Sequence, residues 1–139
     1  MRRSFGGGLV WLALVALGAA GCDEDTTPTT PTTPTPSVTE SFTGSLNRNG
    51  AATFSFSVAA TGQVTATLTE LGSSAVPIGV SLGNWNGTTC QIVLANDNAV
   101  QGTFVTGTMT ATGSLCVRIY DASGNLESAV TFKVDVVHP

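Results

Sequence analysis

The chain has 139 residues, five basic against nine acidic side chains, and a net charge of −4. That is room for one domain and a tail, not for two domains of ordinary size. No basic patch is available to neutralise phosphates, which excludes nucleic-acid binding and electrostatic attachment to anionic lipid headgroups.

In chain order, the first element is an export signal. A basic start (Arg2, Arg3) precedes an unbroken apolar stretch over residues 9–17, followed by Gly18-Ala19-Ala20-Gly21. Residues 9–20 would make about 18 Å of helix at about 1.5 Å per residue. That is short of the roughly 30 Å of bilayer hydrocarbon, and Asp23-Glu24-Asp25 closes the segment. Small residues before Cys22 mark a cleavage site with the Cys first after the cut. The layout resembles a bacterial lipoprotein signal, in which this Cys receives lipid and becomes the mature N-terminus. Residues 1–21 are therefore expected to leave as a signal peptide, with Cys22 holding the chain on an envelope membrane. An ordinary cleaved signal is the alternative, and Arg2-Arg3-Ser4-Phe5 is similar to a twin-arginine start.

Residues 22–37 follow as a spacer. Residues 26–36 read TTPTTPTTPTP, a run that forms no helix or core and favours extended polyproline II. Its reach from Cys22 to Ser37 is about 45 Å at about 3.1 Å per residue. Loss of the signal removes Arg2 and Arg3 and leaves three basic side chains (Arg48, Arg118, Lys133) against nine acidic ones, hence −6. Membrane contact then falls to the lipid on Cys22.

From residue 38 to 139 the pattern turns to period two. Phe54-Ser55-Phe56-Ser57-Val58 and Val64-Thr65-Ala66-Thr67-Leu68 alternate, and Ile78, Val80 and Leu82 continue. Cys90-Gln91-Ile92-Val93-Leu94, then Leu115, Val117 and Ile119, then residues 130–136 complete the series. Apolar residues two apart, with Ser, Thr and Lys between, are half-buried strands. Weaker strands are expected at 39–46 and 103–110. Turn chemistry separates them at residues 47–50, 61–62, 71–74, 84–87, 112–113 and 121–125. The pattern predicts an all-β, two-sheet antiparallel sandwich, jelly-roll or immunoglobulin-like in connectivity. Its expected core is Phe54, Phe56, Val64, Leu68, Ile78, Val80, Leu82, Ile92, Leu94, Leu115, Val117, Ile119, Phe132, Val134 and Val136. Outward Ser and Thr keep a chain with only 10% charged residues in solution.

With Cys22 assigned to lipid, Cys90 and Cys116 remain, an even pair in a compartment that permits disulfides. A bridge would close a loop of about 27 residues and stabilise by about 3 kcal/mol; two buried thiols are the alternative. Alternation turns Cys116 away from Leu115, Val117 and Ile119, yet sets Cys90 with Ile92 and Leu94. Either one strand is shifted, or the bridge lies outside the main core.

The order of segments is similar to that of bacterial pre-peptidase C-terminal domains. The matching stretches are Ser41-Phe42-Thr43-Gly44-Ser45-Leu46, Ala52-Thr53-Phe54-Ser55-Phe56-Ser57-Val58 and Gly62-Gln63-Val64-Thr65-Ala66-Thr67-Leu68. Residues 111–120 stand where the family has an aGtYyvrV-like segment, with Leu115 in place of the usual Tyr. Residues 77–82 lack the acid of the family's DlDLyl-like strand. The resemblance implies a β-sandwich and an accessory role beside a secreted peptidase.

Catalytic groupings are sparse. His138 stands next to the C-terminus, where fraying is the default, and a catalytic triad needs a held imidazole. One His leaves a zinc site short of ligands. Glu40, Glu70, Asp97, Asp121, Glu127 and Asp135 show no spacing that pairs two carboxylates. No enzyme activity, cofactor or metal is expected. Trp85, in the polar segment Gly83-Asn84-Trp85-Asn86-Gly87-Thr88-Thr89, reads as an exposed platform for a sugar ring or a protein, or as a cover over a sandwich end. Asn96-Asp97-Asn98 clusters oxygens and reads as a turn or, with Asp121 and Asn125, as a weak calcium candidate. The expected function is a non-catalytic module that binds a glycan or an envelope protein, contacts being Trp85, Asn96, Asp97 and Asn98. The alternative is a structural lipoprotein without a small ligand.

Overall fold

The computed structural model describes residues 33–72 and 76–139. The signal segment, Cys22 and the linker as far as Thr32 lie outside the described residues. Residues 33–37 are exposed and carry no regular structure. Eight strands follow: β1 Val38–Leu46, β2 Ala51–Val58, β3 Gly62–Leu71, β4 Ile78–Trp85, β5 Cys90–Ala99, β6 Phe104–Met109, β7 Gly113–Tyr120 and β8 Val130–His138. The two weaker strands expected at 39–46 and 103–110 are β1 and β6.

The first strand pairs with the last, the second with the seventh, the third with the sixth and the fourth with the fifth, all antiparallel. Pairings of β3 with β8 and of β4 with β7 assemble two sheets, β1-β8-β3-β6 and β2-β7-β4-β5. This nested order is that of a jelly roll, which decides between the two connectivities the sequence allows. Successive strands run in opposite directions, so one end carries the β2–β3, β4–β5 and β6–β7 connections and both chain ends of the domain. The opposite end carries the loops after β1, β3, β5 and β7.

Inward positions of both sheets fill a single core. Val64, Ala66, Leu68, Phe132, Val134 and Val136 face Phe56, Ile78, Val80, Leu82, Leu115, Val117 and Ile119, all buried. Apart from the small Ala66, each such side chain contributes about 1.5–3 kcal/mol. Two expected core residues are not there: Ile92 is 45% and Leu94 37% exposed. Both lie on β5, an edge strand whose register against β4 shifts between Leu82 and Gly83, leaving Val93 unpaired. The extra residue is a bulge, which turns Ile92 to the outer face with Gly83. Leu94, opposite inward-facing Leu82, keeps the inner face and is exposed because its strand is at the edge.

The two open sides of the sandwich differ. Along β1 and β2, Phe42 stacks on Phe54 at 5.0 Å, Phe54 meets Phe132 edge-on at 6.2 Å, and Phe56 stacks on His138 at 5.3 Å. The Phe132 ring lies over Gly44, where a Cβ would come within 2.7 Å of it. His138 is therefore held rather than frayed: it is 3% exposed, with Nε2 3.1 Å from Glu40 Oε1. A β1–β8 register that places Val38 opposite His138 is what fixes it.

At the far end, Asp121 ties two loops together. Its carboxylate accepts the N–H groups of Asn49 at 3.0 Å, Gly124 at 2.9 Å and Leu126 at 3.4 Å. Asn49 takes a left-handed conformation (φ 55°) to present its donor, a geometry Asn tolerates. Burial alone raises the Asp121 carboxyl, but these backbone donors outweigh it and hold the group below its ordinary value.

Candidate binding surface

The outer face of the β2-β7-β4-β5 sheet is built on a match of small and large residues. The β4 positions Gly79, Ser81 and Gly83 lie in register with Tyr120, Arg118 and Cys116 of β7. All three β4 residues are buried, because the longer β7 side chains cover them. A Cβ at Gly79 would come within 2.3 Å of the Tyr120 ring, and one at Gly83 within 2.2 Å of the Gln91 carbonyl oxygen. The β5 backbone thus crosses directly over Gly83. That crossing brings Cys90 to Cys116, with Cα atoms 5.7 Å apart, and the two form a disulfide.

The parity conflict in the sequence resolves on both counts. The bridge lies on the outer face, away from the main core, and the Val93 bulge separates Cys90 and Ile92 from the face of Leu94. At the other end of β5, the Tyr120 hydroxyl donates to the Asp97 carboxylate. Burial first, then that hydrogen bond and the negative charge of Asp97, push the Tyr120 phenol up to about 12; the nearby Arg118 pulls it down. β7 therefore grips the edge strand at two points across β4, one covalent and one hydrogen-bonded.

Arg118 stands between those points. Its guanidinium carbon is 5.7 Å from the Tyr120 ring centroid, and its Nε–H is buried with no acceptor. The other two cations of the domain are engaged: Arg48 Nε donates to the Gly124 carbonyl at 2.9 Å, and Lys133 Nζ is 3.6 Å from Asp135.

Trp85 ends β4, paired with Cys90 and half-buried, on the same outer face as Gly83. Asn86, beside it, is committed to the turn: its side-chain oxygen accepts the N–H groups of Thr88 at 2.9 Å and Thr89 at 2.7 Å. Asn96, Asp97 and Asn98 belong to β5 rather than to a turn. A second register shift opposite Ile78 and Val80 loosens the strand there, and the Asn96 side chain accepts the Asn98 N–H at 2.9 Å. The strand separates Trp85 from Asn96 by six residues, about 20 Å at about 3.3 Å per residue. The structure therefore spreads the four expected contact residues along one sheet edge instead of gathering them at one end. Asp97 is taken by Tyr120, and Asp121 by backbone donors.

Sequence reasoning missed the flank formed by the edge strands β5 and β6. Among the described residues, seven large hydrophobics are exposed, and five of them fall here: Ile92, Val93 (64%), Leu94, Val100 and Phe104 (60%). Between the sheets on this side opens a cleft of about 250 Å³, lined by Val64, Leu82, Val93, Leu94, Met109 and Leu115 among others. Leu94 reaches across the gap to Gly107, where a Cβ would sit 2.8 Å from its Cδ1. Three consecutive apolar residues at 92–94 break the alternation, and that break was the available signal.

No protein-family model and no curated protein matches the chain. Among solved structures, the fold is similar to PliG of Aeromonas hydrophila, a periplasmic lysozyme inhibitor of g-type lysozyme. The two are 17% identical, with 70% of this chain and 83% of that chain covered and a TM-score of 0.51. It is also similar to the Yersinia pseudotuberculosis-derived mitogen, at 15% identity, 73% and 86% coverage and a TM-score of 0.52. At these identities the likeness speaks for the fold alone.

Proposed function

We propose that this protein is a lipid-anchored module of the bacterial envelope whose β-sandwich binds another protein without catalysing a reaction. The observation that carries the reading is the β5–β6 flank. An apolar surface concentrated on two adjacent edge strands marks an interaction site in a soluble domain. Its residues are mainly aliphatic, and its cleft is smaller than the usual small-molecule pocket, so it suits anchoring side chains of a partner. The Cys90–Cys116 disulfide supports an oxidising compartment outside the cytoplasm, in keeping with the export signal and Cys22. The periplasmic lysozyme inhibitor with a similar fold is in keeping with a protein as partner. An accessory role of the kind implied by the pre-peptidase C-terminal resemblance is one form such binding would take.

A photoreactive side chain at Val93, in cells, tests the reading against a control at Ser45 on β1. A defined protein captured from Val93, not from Ser45, and lost when Ile92→Asp is added, is the expected result. Equal labelling from both positions removes the flank from the proposal. Cys22→Ser is expected to move the folded domain out of the membrane fraction, and persistent membrane association overturns the anchor.

A further inference from the structure

We propose that Arg118, with the hydroxyls of Thr53 and Ser55, forms a carboxylate-binding subsite on the outer face of the β2-β7-β4-β5 sheet. This rests on the protein-binding reading above and names what the partner brings: an acidic side chain.

Three observations converge on this point. First, the domain holds three cations, and Arg118 is the one whose side chain makes no ion pair and no hydrogen bond among the described residues. Asp97 on the neighbouring strand accepts from Tyr120 instead. Second, the guanidinium rests against the Tyr120 ring in a position that leaves a buried Nε–H unpaired. A donor left in that state is a cost that any acceptor relieves, and a single cation–π contact between these two half-buried side chains is weak enough to be exchanged. Swinging onto an incoming carboxylate would free Nε and one terminal nitrogen to act as a fork, the geometry that suits Arg to carboxylates.

Third, Thr53 is the direct cross-strand neighbour of Arg118, and Ser55 is that of Cys116. Both are exposed, and neither side chain has a partner among the described residues. Direct cross-strand neighbours stand about 5 Å apart at Cβ and diagonal ones about 7–8 Å. The Thr53 hydroxyl therefore borders Arg118 and the Ser55 hydroxyl lies one diagonal further, both on the side away from β5. In a domain whose residues 38–139 carry three basic side chains against six acidic ones, this is the place where an anion meets an unpaired positive charge with donors beside it. A partner lying over the β5 edge and this face would reach the apolar flank and Arg118 together.

The test is a titration of the ¹⁵N-labelled full chain in detergent micelles with sodium acetate, following the arginine Nε–H signals. The Arg118 signal is identified by its loss in R118K. Arg48, already bonded to Gly124, is the internal control. A saturable shift of the Arg118 signal alone, absent with chloride at matched ionic strength, is the expected result. The double variant T53V/S55A, which alters exposed residues and leaves Arg118 in place, should weaken acetate binding several-fold. A drift that does not saturate, an equal response at Arg48, or unchanged affinity in T53V/S55A overturns the subsite. Blocked glutamate saturating more tightly than glucuronate assigns the carboxylate to a protein, and the reverse order overturns that source. These outcomes are independent of crosslinking from Val93, so the two readings fail separately.

Discussion

The two open sides of this sandwich face the same physical problem and answer it differently. Along β1 and β2, Phe42, Phe54, Phe56 and Phe132 close the gap between the sheets, and His138 completes the stack. Along β5 and β6, side chains that are aliphatic apart from Phe104 remain in solvent around an open cleft. Aromatic rings bury large areas and interlock, so the first side stabilises the fold. The second side contributes little to it and is instead held in place from behind, by the grip of β7 on β5. One edge is spent on stability and the other is kept available.

The largest test of this contrast is truncation on each side. Phe56→Ala is expected to cost about 3–5 kcal/mol, the usual loss for a buried aromatic. Val93→Thr should stay within about 0.5 kcal/mol, as for a surface change. Urea denaturation of both variants measures it, and a comparable loss from Val93→Thr would make the open flank part of the core.

Next in size is the disulfide. Replacing Cys90 and Cys116 together by Ser should lower stability by about 3 kcal/mol. Native-state hydrogen exchange should show β5 losing protection first, while β1 and β2 keep theirs. Uniform loss across both sides would mean that the bridge braces the whole domain rather than one edge.

The smallest expected effect concerns the second grip. Tyr120 is the only Tyr in the chain, so phenolate absorbance reports it directly. Its ionisation should centre at about 12 in the folded protein, against about 10 for a free phenol. Because the folded value is raised, the stabilising contribution is complete below about pH 10 and fades as pH climbs through the folded midpoint. Asp97→Asn should bring the midpoint down toward the free value, leaving the part due to burial. An unmoved midpoint would mean that the Tyr120–Asp97 contact does not hold β5.

Much of the fold was legible in the residues. Val64-Thr65-Ala66-Thr67-Leu68 and Leu115-Cys116-Val117-Arg118-Ile119 alternate without interruption, and both are strands with the expected face buried. β5 differs from the expectation because its bulge at Val93 breaks the period; the apolar run Ile92-Val93-Leu94 signals the break, but only the pairing with β4 shows which residue is the extra one. Asn96-Asp97-Asn98 carries turn chemistry, yet pairing with β4 keeps it in a strand. The surface was harder to see. The match of Gly79, Ser81 and Gly83 with Tyr120, Arg118 and Cys116 needs the β4–β7 register, which joins segments some forty residues apart in sequence. Glu40 and His138 meet only because the first and last strands are neighbours.

That nesting has a consequence for how the molecule comes into being. Only β4 and β5 form a local hairpin; every other pairing of the nested set waits for a segment progressively further downstream, and β1 waits for the last strand of all. A chain threaded out of a cell from its N-terminus therefore emerges with its first half unable to find partners. Closing such long loops is slow, and stranded apolar segments invite misassembly meanwhile. Folding would start at the central hairpin and wrap outward. The cysteine at the start of β5 meets its mate only when β7 has arrived, so the bridge records that the roll has nearly closed.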